Sequence, residues 1–328
     1  MTSVVSYIKW GVNAAASRTG MKLFSINLEV TKRCNARCDF CDYWKTQEEQ
    51  PLTDYSAIVK RLDPLAVVLT GGEPLLRRDI VDIVRSLKKS NPLTRISLIT
   101  NGILLTEQIA LSLHEAGLDQ LSISLDFLDE RHDRNRGHKG LAARIGEIAP
   151  RIRARGINLC LNTVIMRDNL DSLEDIVIWA QKNGLLIGFS TYCDMKNMNK
   201  SHLIPADDID RAAQVMEKLI HCKRELGNIT NSDFYLRRVP RYFQGRGIGN
   251  CQSGRKWVQV TPEGYIKRCS EYPAKCFWTE YDRHTFAPTT CTKCWFACRG
   301  ESQAPFQWQR LLKYGKILLK NAKAQPSK

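Results

Sequence analysis

The sequence predicts an α/β fold in which six parallel strands, joined by helices, form a barrel or partial barrel. Strand-like and helix-like segments alternate over residues 22–195, and several strand segments are nearly continuous apolar runs rich in Ile, Leu and Val. Runs of this kind are typical of parallel strands that are covered on both faces. At 328 residues, the chain is long enough for one large α/β domain or for two domains.

Each strand candidate is followed by a helix candidate, as in a series of βα repeats. The predicted strands are LFSINLEV (23–30), LAVVLT (65–70), RISLIT (95–100), QLSISLD (120–126), INLCLNTVI (157–165) and LLIGFSTY (185–192). The predicted helices span 53–62, 78–89, 106–116, 140–155 and 171–183, with N-caps at Thr53, Thr106 and Asp171 and stops at Ala116-Gly117 and Asn183-Gly184. We expect the functional residues at the carboxyl ends of the strands.

The pattern changes after residue 195. One further helix is predicted at 205–226, and six of the twelve cysteines lie in an irregular stretch between residues 251 and 298. The predicted organisation is an N-terminal amphipathic helix (1–21), a barrel core (22–195), a linker helix and loop (196–250), a cysteine-rich region (251–300) and a basic C-terminal helix (301–328).

Composition places the chain among ordinary globular proteins, with 43% apolar and 25% charged residues. No apolar run reaches the roughly 18 residues of a membrane span, and the N-terminus lacks the pattern of a signal peptide. We therefore expect a cytoplasmic protein. In that compartment, the twelve cysteines are expected to be thiols or metal ligands rather than disulfides.

The net charge of +15 is concentrated at the two ends of the chain. Residues 302–328 contain six Lys or Arg and no acid, and no acid precedes Glu29. Without a nucleic-acid-binding motif, these are better described as basic tails, and no nucleic-acid partner is expected. At helical spacing, the end segments would form amphipathic helices that pack on the barrel or dock peripherally on the inner face of an anionic membrane.

Three cysteines, Cys34, Cys38 and Cys41, follow the first predicted strand within eight residues. Three ligands leave two alternatives open at this point. One is a zinc site completed by a distant fourth cysteine. The other is an iron–sulfur cluster held by three thiolates, which leaves one iron open to a substrate or cofactor.

The loop CNARCDFC, together with TGGEPLL (70–76) and SISLDFLDERHDRNRG (122–137), resembles the radical SAM superfamily over roughly residues 22–195. The resemblance implies a partial (β/α)6 TIM-like barrel in which Cys34, Cys38 and Cys41 are the catalytic ligands of a 4Fe–4S cluster. It implies that the open iron binds the amino and carboxylate groups of S-adenosylmethionine. Reductive cleavage of that cofactor would give a 5′-deoxyadenosyl radical that abstracts hydrogen from a substrate.

The resemblance also implies which other residues contact the cofactor. Gly71, Gly72 and Glu73 would lie along its methionine end, with Glu73 accepting from the ammonium group. Ser124 and Arg136 would contact its ribose or carboxylate. The alternative for Arg136 is a surface ion pair with Asp133. The segment departs from the family pattern at Phe127, which stands where glycine is common. His132 is expected to be structural, and Asn162 either binds cofactor or substrate or is a core amide.

The second cysteine set is Cys251 and Cys269, preceded by Gly264, and then Cys291, Cys294 and Cys298. A four-cysteine zinc ribbon is one interpretation. In a radical SAM context, a hairpin with Gly264 five residues before Cys269, followed by Cys-x2-Cys, resembles the SPASM/twitch extension, which implies one auxiliary 4Fe–4S cluster. The preferred ligands are Cys251, Cys269, Cys291 and Cys294, with Cys298 as the main substitute. Cys276 falls outside the pattern, and buried thiols are expected at Cys160, Cys193 and Cys222.

The predicted function is radical-based oxidation or bond formation, assisted by the auxiliary cluster and a flavodoxin- or ferredoxin-type reductant. Strand one begins near residue 22, so we expect neither a peptide-binding nor a cobalamin-binding domain ahead of it. That expectation leaves a small-molecule substrate, and the tails favour an apolar one, such as a tetrapyrrole pigment, lipid or isoprenoid. The alternatives are a radical SAM peptide-maturation enzyme, a zinc-stabilised nucleic-acid-binding protein and a non-catalytic iron–sulfur scaffold.

Overall fold

The computed structural model describes residues 22–46, 48–282 and 284–305. The predicted helix at 1–21 and nearly all of the predicted helix at 301–328 lie outside these ranges. The six predicted parallel strands are confirmed and occur in sequence order across the sheet. They are β1 (Ser25–Thr31), β2 (Ala66–Gly71), β3 (Arg95–Thr100), β4 (Gln120–Ser124), β5 (Leu159–Ile165) and β6 (Leu186–Thr191).

Helices connect the strands and continue past them. They are α1 (Ser56–Leu62), α2 (Ile80–Ser90), α3 (Glu107–Glu115), α4 (Glu130–Arg136), α5 (Leu141–Ala154), α6 (Leu173–Lys182), α7 (Ile209–Leu226), α8 (Asp233–Leu236), α9 (Val239–Arg241) and α10 (Ala297–Gln303). The short helix α4 was not predicted. None of the helices in the described ranges has both the length and the apolar character that a membrane crossing requires.

One predicted helix cap is correct and two are wrong. The Thr106 hydroxyl accepts a hydrogen bond from the Ile109 N–H at 3.1 Å, as an N-cap does. Thr53 does not cap α1, because Asp54 accepts from the first N–H of that helix at 2.9 Å instead. Asp171 does not cap α6, because it lies in a preceding 3-10 turn and forms an ion pair with Arg211.

The two faces of the sheet differ in polarity because strand side chains alternate between them. On β1, Ile26, Leu28 and Val30 are fully buried in the hydrophobic core with the helices. The intervening positions, including Asn27 and Glu29, are polar and point to the concave inner face. The hydrophobic effect therefore holds the helices against the outer face and leaves the inner face available for polar chemistry.

The cysteine-rich region continues this sheet. Its strands are β7 (Trp257–Val260), β8 (Tyr265–Lys267) and β9 (Ala274–Phe277), and the strand order is β6-β5-β4-β3-β2-β1-β7-β8-β9 within the described residues. The predicted hairpin is present, with Gly264 at φ 93° in its turn. The sequence did not predict that β7 pairs in parallel with β1. Because β6 and β9 are the two edges, the barrel is open.

Two glycines allow the loop after β2 to cross the backbone of the loop after β1. The Gly72 N–H donates to the Thr31 carbonyl at 2.8 Å, and the Glu73 N–H donates to the Arg33 carbonyl at 2.8 Å. A Cβ on Gly71 would overlap the Thr31 carbonyl oxygen, and one on Gly72 would overlap that of Arg33. Gly71 also has φ of 135°, which side chains rarely adopt. These glycines therefore fix the position of the cysteine loop.

We predict that the hairpin unfolds together with the barrel. Val67 on β2 and Val258 on β7 are both fully buried and flank the same residue, Ile26, in the sheet. Val67→Ala and Val258→Ala should each lower the free energy of unfolding by about 2 kcal/mol. Both should shift one shared transition in denaturant titrations followed by circular dichroism and fluorescence. A separate transition that responds to V258A alone would show that the hairpin is an independent unit.

We also predict that Gly72→Ala displaces the cysteine loop, since its Cβ has no space beside the Arg33 carbonyl. The free energy of unfolding should fall by about 3 kcal/mol or more, and the displaced cysteine loop should no longer bind iron. The matched control is Gly146→Ala in α5, where an added Cβ meets no atom within 4 Å. G146A should stabilise the protein by about 0.5–1 kcal/mol with unchanged iron content. Equal effects of both variants on iron content would contradict the crossing argument.

Candidate active site

The loop that follows β1 brings three thiols together at the carboxyl end of the sheet. Burial raises the pKa of the Cys38 thiol to about 11, Arg136 acts in the opposite direction, and charges on Cys41 and Cys34 raise it further. Burial also raises the pKa of Cys34, which interacts with Cys41. Three interacting thiols on one short loop, with Cys38 buried and Cys34 and Cys41 partly exposed, fit the ligand set of a cluster that has one site not occupied by protein.

Neighbouring loops hold the cysteine loop in place. The Asn101 side chain, after β3, donates to the Asn35 side chain at 2.8 Å and lies 3.9 Å from the Cys34 sulfur. The Arg37 N–H donates to the Arg136 carbonyl at 3.0 Å. A cavity of about 400 Å³ adjoins the loop and is lined by Cys34, Asn35, Arg37, Trp44 and Lys45. The loop is therefore anchored from two sides and borders space for a small molecule.

The Glu73 side chain joins its own loop, after β2, to the loop after β3. It is completely buried, its Oε1 accepts from the Leu75 N–H at 3.0 Å and the Thr100 hydroxyl at 2.7 Å, and its Oε2 accepts from the Asn101 N–H at 2.7 Å. Burial raises its pKa to about 6, although these hydrogen bonds favour the charged form. Both oxygens thus contact the protein, and binding of a cofactor ammonium by Glu73 stays a prediction.

Arg136 lies in a buried ion pair, but its partner is not the predicted one. Its Nε and Nη2 donate to one oxygen of Asp126 at 2.9 and 2.7 Å, and its guanidinium lies 5.1 Å from the Phe40 ring centre. The alternative of a surface pair with Asp133 is wrong, because that carboxylate accepts the N–H groups of Gly140 and Ala142 near the start of α5. Contact between Arg136 and the cofactor stays a prediction.

Ser124 and Asn162 are opposite each other on β4 and β5, on the inner face of the sheet. This position is compatible with the predicted contact of Ser124 with the cofactor and with the ligand-binding alternative for Asn162. His132 is buried, and its Nδ1 accepts from the Asp126 N–H at 3.1 Å. Burial lowers its pKa to about 4, so it is neutral, in agreement with a structural role.

The second cysteine set gathers around the hairpin and α10. Burial raises the pKa of Cys269 to about 11 and that of Cys298 to about 12, and charge on Cys251 acts on both thiols. Cys291 also acts on Cys269. Cys294 instead interacts with Cys298 and with Cys193 of the barrel. These interactions favour Cys298 over Cys294 as the fourth member of the set.

Of the remaining cysteines, Cys193 lies beside Cys294, and Cys160, Cys222 and Cys276 do not interact with either set. Cys276, on β9, interacts with Glu280, Lys275 and Asp282 rather than with other thiols. Buried thiols are found, as predicted, at Cys160, Cys193 and Cys222. In the described part of the chain, no three Cys, His, Asp or Glu side chains converge in the way the ligands of a single metal ion do.

Sequence reasoning missed Glu29 and the contact that Tyr43 makes with it. Glu29 is 1% exposed on the inner face of β1, and the Tyr43 hydroxyl, from the end of the cysteine loop, donates to its Oε1. The signal was a single carboxylate inside an otherwise apolar strand, LFSINLEV. Without the sheet register, such a residue cannot be distinguished from one at an exposed strand end.

Comparisons with known proteins agree with this geometry. Residues 28–180 match the family described as the radical SAM superfamily. The chain is 30% identical over 199 residues to GTP 3′,8-cyclase of Aquifex aeolicus (strain VF5), which covers 56% of this chain and 62% of that protein. It is 28% identical to PqqA peptide cyclase of Gluconobacter oxydans (strain 621H) over 75% of this chain and 69% of that protein.

The solved structures give the same fold. Native anSMEcpe with bound AdoMet superposes with a TM-score of 0.63 at 16% identity, over 91% of this chain and 99% of that chain. The sequence match to the radical SAM family covers the cysteine loop, the glycine loop and the strands that carry them. Residues 28–180 are therefore a radical SAM domain, and the cofactors of that superfamily are a 4Fe–4S cluster and S-adenosylmethionine.

Proposed function

We propose that Cys34, Cys38 and Cys41 hold the catalytic 4Fe–4S cluster and that Cys251, Cys269, Cys291 and Cys298 hold an auxiliary cluster. The electrostatic interactions within each set support this division. With S-adenosylmethionine bound, the catalytic cluster supplies the chemistry that removes a hydrogen atom from a substrate carbon. A flavodoxin- or ferredoxin-type reductant would deliver the electron that this chemistry requires.

We infer that the substrate is a peptide, in which the enzyme forms a new bond. The observation that carries this inference is the polarity of the inner face. Inward positions on the seven parallel strands include amide, hydroxyl and carboxylate side chains, namely Asn27, Glu29, Thr70, Ser97, Gln120, Ser122, Ser124, Asn162, Ser190 and Gln259. Those of these groups that keep a free donor or acceptor can pair with the N–H and C=O groups of a peptide, which an apolar pigment, lipid or isoprenoid lacks. The preference for an apolar substrate is therefore withdrawn.

Sequence similarity to a peptide cyclase supports the same proposal. PqqA peptide cyclase is similar along three quarters of this chain, and its name describes bond formation within a peptide. Joining two carbons of one peptide removes two hydrogen atoms. One goes to the deoxyadenosyl product, the other leaves as a proton, and the remaining electron is available to an auxiliary cluster beside the substrate. Two sets of cysteines around one inner face fit this chemistry.

A guanine nucleotide is the second candidate substrate, because GTP 3′,8-cyclase is also among the relatives. A triphosphate calls for several Arg or Lys side chains around it. Among the inward positions of β1 to β7, all within the described residues, the charged side chains are Glu29 and Arg95. Arg95 lies at the amino end of β3, away from the cysteine loop, and donates to Gln120 at 2.7 Å. The charges on the strands therefore favour the peptide, whereas Arg37 and Lys45 beside the cysteine loop are basic side chains available to a phosphate.

Replacing Cys34, Cys38 and Cys41 together with Ala should abolish reductive cleavage of S-adenosylmethionine and remove about one cluster's iron, roughly four atoms per chain. The second cysteine set should keep its iron. Double replacement of the buried thiols Cys160 and Cys222 with Ala is the control and should leave iron content unchanged. Continued formation of 5′-deoxyadenosine by the C34A/C38A/C41A protein would show that the assignment is wrong.

Incubation of anaerobically reconstituted full-length enzyme with reductant, S-adenosylmethionine and a display library of peptides should yield peptides lighter by two hydrogen atoms. Parallel reactions with GTP should yield no new nucleotide product. Mass spectrometry detects both outcomes, and 5′-deoxyadenosine measures turnover in each reaction. A nucleotide product, with no peptide altered, would replace the peptide proposal with the nucleotide one.

A further inference from the structure

Glu29 differs from the other fully buried carboxylates of the barrel in having an oxygen without a partner. Glu73 and Asp126 are each 0% exposed, and both oxygens of each accept hydrogen bonds from the protein. Glu29 is 1% exposed, its Oε1 accepts from Tyr43, and its Oε2 has no hydrogen-bond partner among the described residues. A buried acceptor in this condition carries a desolvation cost that a bound donor would remove.

The position of Glu29 relates it to both cysteine sets. Two residues earlier on the same face of β1, about 7 Å away, Asn27 hydrogen-bonds Cys298 of the second set. On the other side, Tyr43 interacts with Cys41 of the first set and with Glu271, which follows Cys269. The unpaired oxygen therefore lies on the inner face between the two places where redox chemistry is proposed.

The cations close to this place are already engaged. Lys196 lies with its Nζ 3.7 Å from the centre of the Tyr43 ring, and Arg136 is paired with Asp126. No described basic side chain forms an ion pair with Glu29. The described residues thus leave Oε2 of Glu29 open to a donor from a molecule that enters the barrel.

We propose that Glu29 binds an N–H donor of the substrate, with Tyr43 holding its other oxygen. The donor is a cationic or strongly polarised N–H group, because charge-assisted hydrogen bonds to a buried carboxylate are the strongest available to it. A lysine or arginine side chain of a peptide carries such a group, and so does the N–H edge of guanine. The proposal rests on the proposed function for its choice between these sources, and its test separates them.

The test measures binding to the anaerobically reconstituted full chain in the presence of S-adenosylmethionine. The probes are the capped tripeptides Ac-Gly-Arg-Gly-NH2 and Ac-Gly-Lys-Gly-NH2, the neutral Ac-Gly-Nle-Gly-NH2, and guanosine. Calorimetry gives their dissociation constants for the wild type and for Glu29→Gln, which keeps the shape and the acceptor for Tyr43. Glu271→Gln is the matched control, since it removes a charge from the same region while its carboxylate is already bound to Ser270.

E29Q should weaken binding of at least one N–H probe by about tenfold or more, as expected for loss of a hydrogen bond to a charged group. Binding of the norleucine probe should change less than about twofold. E271Q should change the dissociation constant of every probe by less than about twofold. Glu29→Asp keeps the charge on a shorter side chain and should weaken binding of the N–H probes less than E29Q does. This variant replaces E29Q in the test if E29Q cannot be reconstituted with iron.

The outcomes separate this proposal from the proposed function. Loss of arginine or lysine binding in E29Q supports both, and loss of guanosine binding alone supports the Glu29 site while overturning the peptide proposal. If E29Q and E29D bind all four probes as the wild type does, the carboxylate only positions Tyr43 and the proposal is wrong. Cofactor cleavage without substrate is measured alongside, so a failed cluster is not mistaken for a failed site.

Discussion

The pairing of β1 with a parallel strand on each edge is the constraint on which the rest of this structure depends. β2 lies on one side and β7 on the other, so the strand that carries the cysteine loop is central in the sheet. Central parallel strands are held by hydrogen bonds on both edges and by burial of both faces. The loop at the end of β1 therefore starts from a fixed point, and the two cysteine sets face each other across one strand.

Charge burial explains much of the site's organisation. Glu73 and Asp126 are buried carboxylates, yet each is surrounded by donors from neighbouring loops, so each ties those loops together. Removing one partner would leave a buried charge without compensation. The resulting loss of folding free energy is larger than the stabilisation that the intact pair provides. Such fully satisfied networks specify one arrangement of the loops. Glu29, by contrast, is satisfied on one oxygen alone, and a group of that kind is more informative about ligands than about stability.

The hairpin of the cysteine-rich region is part of the barrel sheet and not a separate domain beside it. β7 extends the barrel sheet, and α10 brings Cys298 to Asn27 on the inner face of β1. The second cysteine set is thereby part of the wall of the chamber in which the first set lies. Under the proposed function, a substrate in that chamber would be close to both sets, as hydrogen removal followed by electron transfer requires. The polar side chains on the inner face support a substrate rich in hydrogen-bonding groups.

The sequence by itself determined the βα repeats, the cysteine loop and the family, because apolar periodicity and short-range ligand spacing are local properties of a chain. It also indicated the hairpin around Gly264, because turn chemistry is local too. Only the tertiary structure decided the partner of Arg136 and the inward position of Glu29, and it supports the proposed grouping of Cys298 with Cys251 and Cys269. These depend on which strand edges pair and in what register. In a sheet where side chains alternate between faces, a register shift of one residue reverses every assignment.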